Sequence, residues 1–345
     1  EKAQGDFLFD INYIRSTLAE IRGGVGQIIE GMVALGGDQY QGLRERFALV
    51  DAELTAILTG SRPIQRDEFT IFFDRLDRDR GASVGSKNAQ LGEIGSKLGL
   101  PVPAGFAISA WAYQRFIDAN DLQRRIDQCI EGVDFKRYDD LVWISEKIQN
   151  LVLASKVPPD LEEAIRRGVA QLQGRTGADR FALRSSAIGE DTQVSFAGQY
   201  RSLLNVRGDD VVRRYREVLA GKFTPKAIYY QLSHAFRESE LAMCVGCIAM
   251  VDAAASGVVY TKNPVRPADD CLLVNSVFGL GQLLVDGTLT PDVFRVSRES
   301  GELVESQNAR KQVRLVIQPD SGTAVEPVEE EQQLAPSLAP AQLRK

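Results

Sequence analysis

One stretch near the middle of the chain most constrains what this sequence can fold into. The apolar run 181–183 is typical of a buried strand, and the permanently charged Arg184 follows it directly. A guanidinium at the end of such a strand is costly without an anionic partner. Ser185 and Ser186 come next, followed by the glycine-containing acidic segment 189–199, whose backbone N–H groups can approach phosphate oxygens closely. The stretch predicts either a phosphate-binding turn or a buried arginine–carboxylate pair.

Composition and charge narrow the classes of ligand. The chain has 345 residues, 44% of them hydrophobic, and a net charge of −6. It is long enough for two or three domains or one large one. The acidic balance argues against general nucleic-acid binding, whereas an anionic small molecule needs only a few placed cations. No apolar run approaches the roughly 20 residues that span a bilayer, and no signal-peptide pattern opens the chain. We therefore expect neither a nucleic-acid nor a membrane partner.

Four cysteines are too few for a disulfide framework in a chain of this length, which predicts a reducing, cytoplasmic location. Cys244 and Cys247 form a C-x-x-C, but they lie within 241–251, a stretch typical of a buried strand. Residues three apart on a strand point to opposite faces, so the two sulfurs would not converge. No nearby histidine completes a zinc set. We predict two buried structural cysteines and assign no metal ligand.

The first 83 residues predict two units without catalytic clusters. Apolar residues recur at helical spacing over 7–35 and again over 41–58, with Gly36 and Gly37 between the two stretches. This pattern predicts an antiparallel helical hairpin over 1–62, acting as a docking or self-association module. The segment 63–83 follows, and its mixture of acidic and basic residues predicts a solvated charged linker.

A second candidate phosphate contact follows the linker. Gly85 and Ser86 precede Lys87 at the start of a predicted helix. A helix N-terminus favours an anion, and a lysine there adds a point charge. The segment is not a Walker A loop, because G-x-x-x-x-G-K-[ST] is absent. A solvated surface lysine is the alternative interpretation.

The remaining pattern predicts a mixed fold. Residues 121–174 are mostly helical, and helices cover 209–220 and 224–236. Strands are predicted at 181–184, 203–206, 242–251, 257–261, 271–277, 293–297, 302–305 and 312–317. The fold class is therefore α/β (α+β), with a largely antiparallel sheet late in the chain.

Several segments, taken together, resemble a known family. They are VGSKNAQL (84–91), LPVPAGF (100–106), RSSA (184–187) with ED (190–191), SFAGQ (195–199), SGVVYTKNP (256–264), FGLG (278–281) and TPD (290–292). In this order and spacing they resemble the N-terminal nucleotide-binding domain of the phosphoenolpyruvate synthase and pyruvate phosphate dikinase family. The resemblance implies an ATP-grasp fold of two subdomains over 84–335, after the helical hairpin and the linker.

The resemblance also implies an activity and a set of site residues. The family makes phosphoenolpyruvate from ATP and pyruvate, and passes the phosphoryl group through a histidine on a separate domain. By resemblance Lys87 and Arg184 would hold the ATP phosphates and spread the charge of the transferring group. Gly198 and Ser202 match positions that contact the phosphates. The implied cofactors are ATP and Mg²⁺, and the implied partner is a small acceptor such as pyruvate. Cationic clamps and N–H donors are what phosphoryl transfer needs.

The sequence departs from the family pattern at four positions that bear on ATP. One is Ser86, because the family's usual Gly-Gly-Lys reads Gly85-Ser86-Lys87 here. Ile248 stands where the family usually has Gln, Ala249 where it often has Arg, and Gln282 where it usually has Glu. The family's later Glu and Gln-x-Arg, which ligate Mg²⁺, do not appear before Lys345. No residue of this sequence is therefore assigned to the metal.

The single histidine, His234, precedes an alanine in a Ser-His-Ala string. The family's phosphohistidine lies on a different domain, so we expect a surface or structural role for His234. The resulting hypothesis is the ATP-binding portion of a phosphoenolpyruvate synthase-like phosphotransferase, inactive as an isolated chain. The alternatives are a non-catalytic or regulatory ATP-grasp-like binding protein, or the ATP-binding subunit of a phenylphosphate synthase-like complex.

Overall fold

The structure is a computed structural model that describes residues 11–59, 64–130, 137–188, 202–233, 242–264 and 269–343. Its helices are α1 (Ile11–Gly36), α2 (Gly42–Thr59), α3 (Gly81–Val84), α4 (Ser86–Ser96), α5 (Ala110–Ala119), α6 (Leu122–Ile130), α7 (Tyr138–Ala154), α8 (Pro159–Thr176), α9 (Val211–Ala220), α10 (Pro225–Ser233), α11 (Gln282–Val285) and α12 (Pro340–Leu343). Its strands are β1 (Thr70–Phe72), β2 (Gly105–Ile108), β3 (Arg180–Ala187), β4 (Ser202–Arg207), β5 (Met243–Ala249), β6 (Ala255–Tyr260), β7 (Cys271–Phe278), β8 (Asp292–Ser297), β9 (Leu303–Gln307), β10 (Val313–Ile317) and β11 (Thr323–Pro327).

The mixed α/β prediction is confirmed, and the sheets are antiparallel. A five-stranded sheet has the order β1-β2-β5-β3-β4, and each neighbouring pair in it is antiparallel. A four-stranded meander, β6-β7-β8-β9, and the two-stranded pair β10-β11 follow later in the chain. We call β1–β5 with α3–α10 the five-stranded unit, and β6–β11 with α11 and α12 the C-terminal unit.

The two faces of the five-stranded sheet are covered differently. The main core joins one face to helices α5–α9, through residues such as Phe106, Phe116 and Tyr215. On the opposite face a smaller cluster includes Ile71, Ala89 of α4 and Ile248 of β5. Because side chains alternate along a strand, α4 lies on the face that does not carry the large helical layer.

Residues 67–81 correct the prediction of a solvated linker. They contain strand β1, whose Thr70–Phe72 pairs antiparallel with Phe106–Ile108 of β2. Phe73 and Leu76 are buried, while the charged residues around them stay at the surface. Charged residues on both sides made the short apolar run difficult to recognise in the sequence, although it forms the edge strand of the sheet. The solvated-linker prediction is wrong for this stretch.

The described cysteines fit the structural interpretation. All four are unpaired and buried, with Cys244 and Cys247 on β5 in the middle of the sheet. Burial raises the pKa of both of these thiols, because a thiolate would lose its hydration there. They are therefore neutral core side chains rather than nucleophiles.

The N-terminal helices are joined to each other by ion pairs. Arg22 of α1 contacts Asp51 of α2, and Arg44 of α2 contacts Glu30 of α1. Among the side chains that the structure describes on these two helices, nine large apolar ones are exposed: Ile21, Val25, Ile28, Met32, Leu35, Leu43, Leu49, Val50 and Leu54. Among the described helices none combines the length and apolar character needed to cross a bilayer.

Candidate functional site

A cleft of about 940 Å³ lies between the five-stranded unit and the C-terminal unit. Strands β3, β4 and β5 form its floor, together with the start of α4. The other walls come from β6, the segment 280–286 and the tip of the β10–β11 hairpin at 321–323. The volume falls in the range that ligand pockets occupy, about 300–1,000 Å³.

Arg184 lies on the floor of this cleft. It is the fifth residue of the eight-residue strand β3 rather than its last, and its side chain is exposed. Gly246 of β5 and Ser202 of β4 stand directly opposite it on the two neighbouring strands. The described part of the chain offers Arg184 no acidic partner. The structure does not show Arg184 as a buried arginine, because its side chain is exposed and lines the cleft.

Lys87 lines the same cleft from the first turn of α4. The helix begins at Ser86, after Gly85 turns the chain with a φ of +77°. This conformation favours glycine, because a Cβ there would strain the backbone. Gly85 presents no side chain to cap the helix, so the N–H groups of the first turn are not all consumed locally. The helix dipole and the exposed Lys87 side chain add positive potential at this edge.

Three of the four residues predicted for the site meet in one place. Ser202 is exposed at the start of β4, where it lines the cleft directly opposite Arg184. Gly198, the fourth, lies outside the described residues, as do the whole segment 195–199 and His234. The cleft therefore assembles Lys87, Arg184 and Ser202 from three separate segments of the chain.

Sequence reasoning missed two further cations of the cleft, Arg207 and Arg214. Arg207 ends β4, and Arg214 of α9 pairs with Glu217. The local sequence around both residues is typical of the charged start of a surface helix. Only the long-range fold shows that they face the cleft. Among the described residues, the lining holds four cationic side chains, with Lys87 and Arg184 included, against two acidic ones, Asp210 and Asp286. A positive cleft in a chain of net charge −6 favours an anionic ligand.

Three of the departures from the family pattern lie in the lining, beside apolar residues of the cleft. Ile248, Ala249 and Gln282 all line the cleft, beside Met250 and Leu280. Ile248 is buried and packs toward α4, so it supplies surface but no hydrogen bond. Apolar lining residues next to the cations Lys87 and Arg184 suit a ligand that has an apolar part and a negatively charged part.

The described residues do not form a protein-built magnesium site. Among them no group of three or more His, Cys, Asp or Glu side chains converges to hold a metal ion. The cleft carboxylates are Asp210 and Asp286 alone within that part of the chain. Hard cations need several oxygen ligands. No step of the function is therefore built on a metal held by these residues.

Comparison with known proteins places the chain in a family. A family model described as the pyruvate phosphate dikinase AMP/ATP-binding domain matches residues 81–345. A probable phosphoenolpyruvate synthase of Staphylothermus marinus is 33% identical over 264 residues, which cover 75% of this chain and 32% of that protein. The phosphoenolpyruvate synthase of Escherichia coli is 32% identical over 272 residues, covering 75% and 34%. The rifampicin phosphotransferase of Bacillus subtilis is 30% identical over 271 residues, covering 78% and 31%.

The chain thus spans about a third of the length of these three relatives. The matched region includes the start of α4, the strands of the cleft floor and the whole C-terminal unit. Lys87, Arg184, Ser202 and the cleft between the units all fall inside it. This chain belongs to the pyruvate phosphate dikinase AMP/ATP-binding domain family.

Proposed function

We propose that the cleft binds ATP, with Lys87 and Arg184 on its phosphates. The observation that carries this proposal is that both cations line one cleft of a chain in an ATP-binding domain family. Ser202, opposite Arg184, is suited to donate a hydrogen bond from its hydroxyl group. Gly198 would add a backbone N–H group to the same phosphates.

The chemistry we infer is transfer of a phosphoryl group from ATP to a histidine on a domain or subunit not in this chain. In phosphoryl transfer the negative charge spreads over the oxygens of the transferring group. Lys87 and Arg184 would stabilise that charge without forming a covalent bond to phosphorus. Pyruvate or another small acceptor would take the group later. Mg²⁺ would accompany ATP, and no residue of this chain is assigned to it.

We infer that the two units are the subdomains of an ATP-grasp fold. The support is a nucleotide-sized cleft between two antiparallel sheets, with cations on one side. The expected bounds of this domain were 84–335; because β1 pairs with β2 in the same sheet, we propose that the domain begins before Thr70, and we keep 1–62 as a preceding helical hairpin. The exposed apolar side chains of α1 and α2 support self-association through that hairpin. The four buried, unpaired thiols support a cytoplasmic location.

Calorimetric titration with ATP tests the phosphate assignment. Each charge-assisted contact contributes on the order of 1.5–3 kcal/mol, so Arg184→Ala should weaken ATP binding about tenfold or more. Arg184→Lys should restore part of the loss, because it keeps the charge but not the planar fork. Lys87→Ala should act in the same direction but less, since the helix N-terminus remains.

Arg167→Ala is the matched control, because Arg167 is exposed on α8, does not line the cleft, and pairs with Glu163 on the helix surface. It should leave ATP affinity unchanged. If folded Arg184→Ala binds ATP as well as the unaltered chain does, Arg184 does not hold the phosphates.

Ile248, Ala249 and Gln282 favour a second candidate, a non-catalytic or regulatory nucleotide-binding protein. All three remove polar groups or charge from a lining where the family usually places them. The ATP-binding subunit of a phenylphosphate synthase-like complex is a catalytic version of the same architecture. Phosphate transfer from ATP to a separately supplied histidine-bearing domain supports a catalytic role. ATP binding without transfer supports the regulatory one.

A further inference from the structure

We propose that Asn88 is a positioning residue, which fixes the separation of Lys87 and Arg184 by seating the first turn of α4 on Gly246. The inference rests on the proposed function of the cleft and concerns how its two cations are held in register. Asn88 follows Lys87 in the chain, but we do not assign it to the phosphates, because its side chain is directed into the sheet. Its role follows from three contacts beneath the helix.

The first contact joins the turn before α4 to strand β3. A Cβ added to Gly85 would lie 2.2 Å from the backbone oxygen of Ser186 and 2.3 Å from its hydroxyl oxygen. The backbone N–H of Asn88 also donates to the Ser186 hydroxyl at 3.5 Å. The helix start therefore approaches the strand more closely than any side chain at residue 85 would allow.

The second contact joins Asn88 to strand β5. A Cβ added to Gly246 would lie 2.4 Å from the Oδ1 atom of Asn88. The Asn88 side chain is only 2% exposed, so it occupies the space that a residue with a side chain would fill at 246. Glycine at 246 is thus the condition for Asn88 to reach the sheet.

The third contact fixes the Asn88 side chain itself. Its Nδ2 atom donates to the backbone oxygen of Val84 at 2.8 Å, across the Gly85 turn. The amide therefore ties the end of α3 to the start of α4 while its oxygen faces Gly246. The amide nitrogen is bonded to Val84 and the amide oxygen packs against Gly246, so these two contacts define one seat for the first turn of α4 on the sheet.

The strand register places the residues that contact the first turn of α4 next to Arg184. Gly246 stands directly opposite Arg184, and Ser186 lies two residues further along β3 on the same face. Gly85 and Asn88 therefore touch the positions that flank Arg184, while Lys87 lies between them in the chain. A displacement of Asn88 changes the distance between the two cations.

The test compares ATP with adenosine in calorimetric titrations of the full chain. Adenosine has no phosphates, so its affinity reports on the rest of the cleft. Gly246→Ala places a methyl group against Asn88, and we expect ATP affinity to fall about tenfold, one decade. The adenosine affinity of this variant should stay within about twofold of that of the unaltered chain, which is far less than the expected loss for ATP. Gly174→Ala is the matched control, because a Cβ at Gly174 meets nothing within 4 Å.

A double variant separates positioning from a general packing role. Asn88→Ala alone should weaken ATP selectively, because the seat is lost. In Asn88→Ala the space above residue 246 is open, so adding Gly246→Ala should cause no further loss of ATP affinity. If Gly246→Ala does not fold, the comparison of Asn88→Ala with the unaltered chain still decides the point.

Two results would overturn the positioning role in folded variants. One is a parallel loss of ATP and adenosine affinity, and the other is unchanged ATP affinity in Asn88→Ala. Additive losses in the double variant would contradict the shared seat. Failure of the proposed function is a different outcome, since the unaltered chain would then not prefer ATP to adenosine at all.

Discussion

Asp292 shows at the scale of one residue how the C-terminal unit is held together. Its carboxylate is fully buried and contacts the Lys311 ammonium, which is also fully buried. The same carboxylate accepts from the backbone N–H of Ala309 at 2.9 Å, and from the N–H and hydroxyl of Ser337 at 2.6 Å each. One side chain at the start of β8 thus joins two later segments of the chain.

Replacing Asp292 by Asn should destabilise the protein strongly. Removal of one partner leaves the Lys311 charge buried without compensation, which costs about 3–5 kcal/mol. Denaturant unfolding should therefore show a midpoint well below that of the unaltered chain. Glu163→Gln, which breaks an exposed pair with Arg167, should change stability by less than about 1 kcal/mol. Equal, small effects of the two substitutions would contradict the structural role of the buried pair.

Residue patterns alone identified Asp292 only as part of a Thr-Pro-Asp motif. Nothing local shows that Lys311 returns to it, because that contact depends on how β8 and the segment after β9 pack. By contrast, the Ser109 cap was predictable: its hydroxyl accepts from the Ala112 N–H at 3.3 Å, as its position before α5 predicts. Short-range chemistry is visible in sequence, whereas long-range pairing is not.

At the scale of elements, the tip of the β10–β11 hairpin is fastened to strand β4. The Nδ2 atom of Asn205 donates to the backbone oxygens of Gln318 at 2.6 Å and Gly322 at 2.8 Å. Arg180 adds a bond to the oxygen of Pro319 at 2.7 Å. Asn205 is buried at a φ of +56°, where the pairing of β4 with β3 shifts register. These bonds connect the C-terminal unit to the floor of the cleft.

Asn205→Gly should loosen this hairpin without straining β4, because glycine accepts the positive φ. Loss of two hydrogen bonds should accelerate hydrogen exchange across 313–327, by at least about tenfold if they contribute about 1.4 kcal/mol together. Asn120→Ala serves as the control, since Asn120 bonds to Phe116 and Lys156 within the helical layer. An unchanged rate of hydrogen exchange across 313–327 in Asn205→Gly would contradict the role of Asn205 in holding the hairpin to β4.

Most elements of regular structure were predictable from periodicity, but their edges and two strands were not. The strand predicted at 181–184 extends over Arg180–Ala187, which moves Arg184 from its end to its interior. Strand β11, Thr323–Pro327, was not predicted, because its exposed residues carry no apolar alternation of their own. Strand β1 was hidden by charge. In each case the strand exists because a neighbour pairs with it, which a single segment does not reveal.

At the scale of the whole molecule, α1 and α2 present an apolar surface that should mediate self-association. Ile28 is 63% exposed and Leu35 is 93% exposed, two helical turns apart on α1. Ile28→Glu combined with Leu35→Glu should weaken association at least about tenfold, because charge would enter an apolar contact. Sedimentation velocity over a concentration series measures this.

Leu98→Glu provides the control for that surface, since Leu98 is similarly exposed but lies outside the N-terminal helices. It should sediment like the unaltered chain. If the unaltered chain remains a monomer at every concentration, self-association through α1 and α2 is ruled out.

At the scale of the whole molecule, we propose that the cleft between the two units recognises ATP by its phosphates. Four cationic side chains of the described part of the chain line the cleft, and we propose that two of them, Lys87 and Arg184, bind the triphosphate. Two charge-assisted contacts of at least about 1.5 kcal/mol each correspond to about a hundredfold preference for ATP over adenosine. Side-by-side calorimetric titration of the unaltered chain with both ligands measures that preference directly. We expect a preference of this order, and equal affinities for ATP and adenosine would contradict recognition through the phosphates.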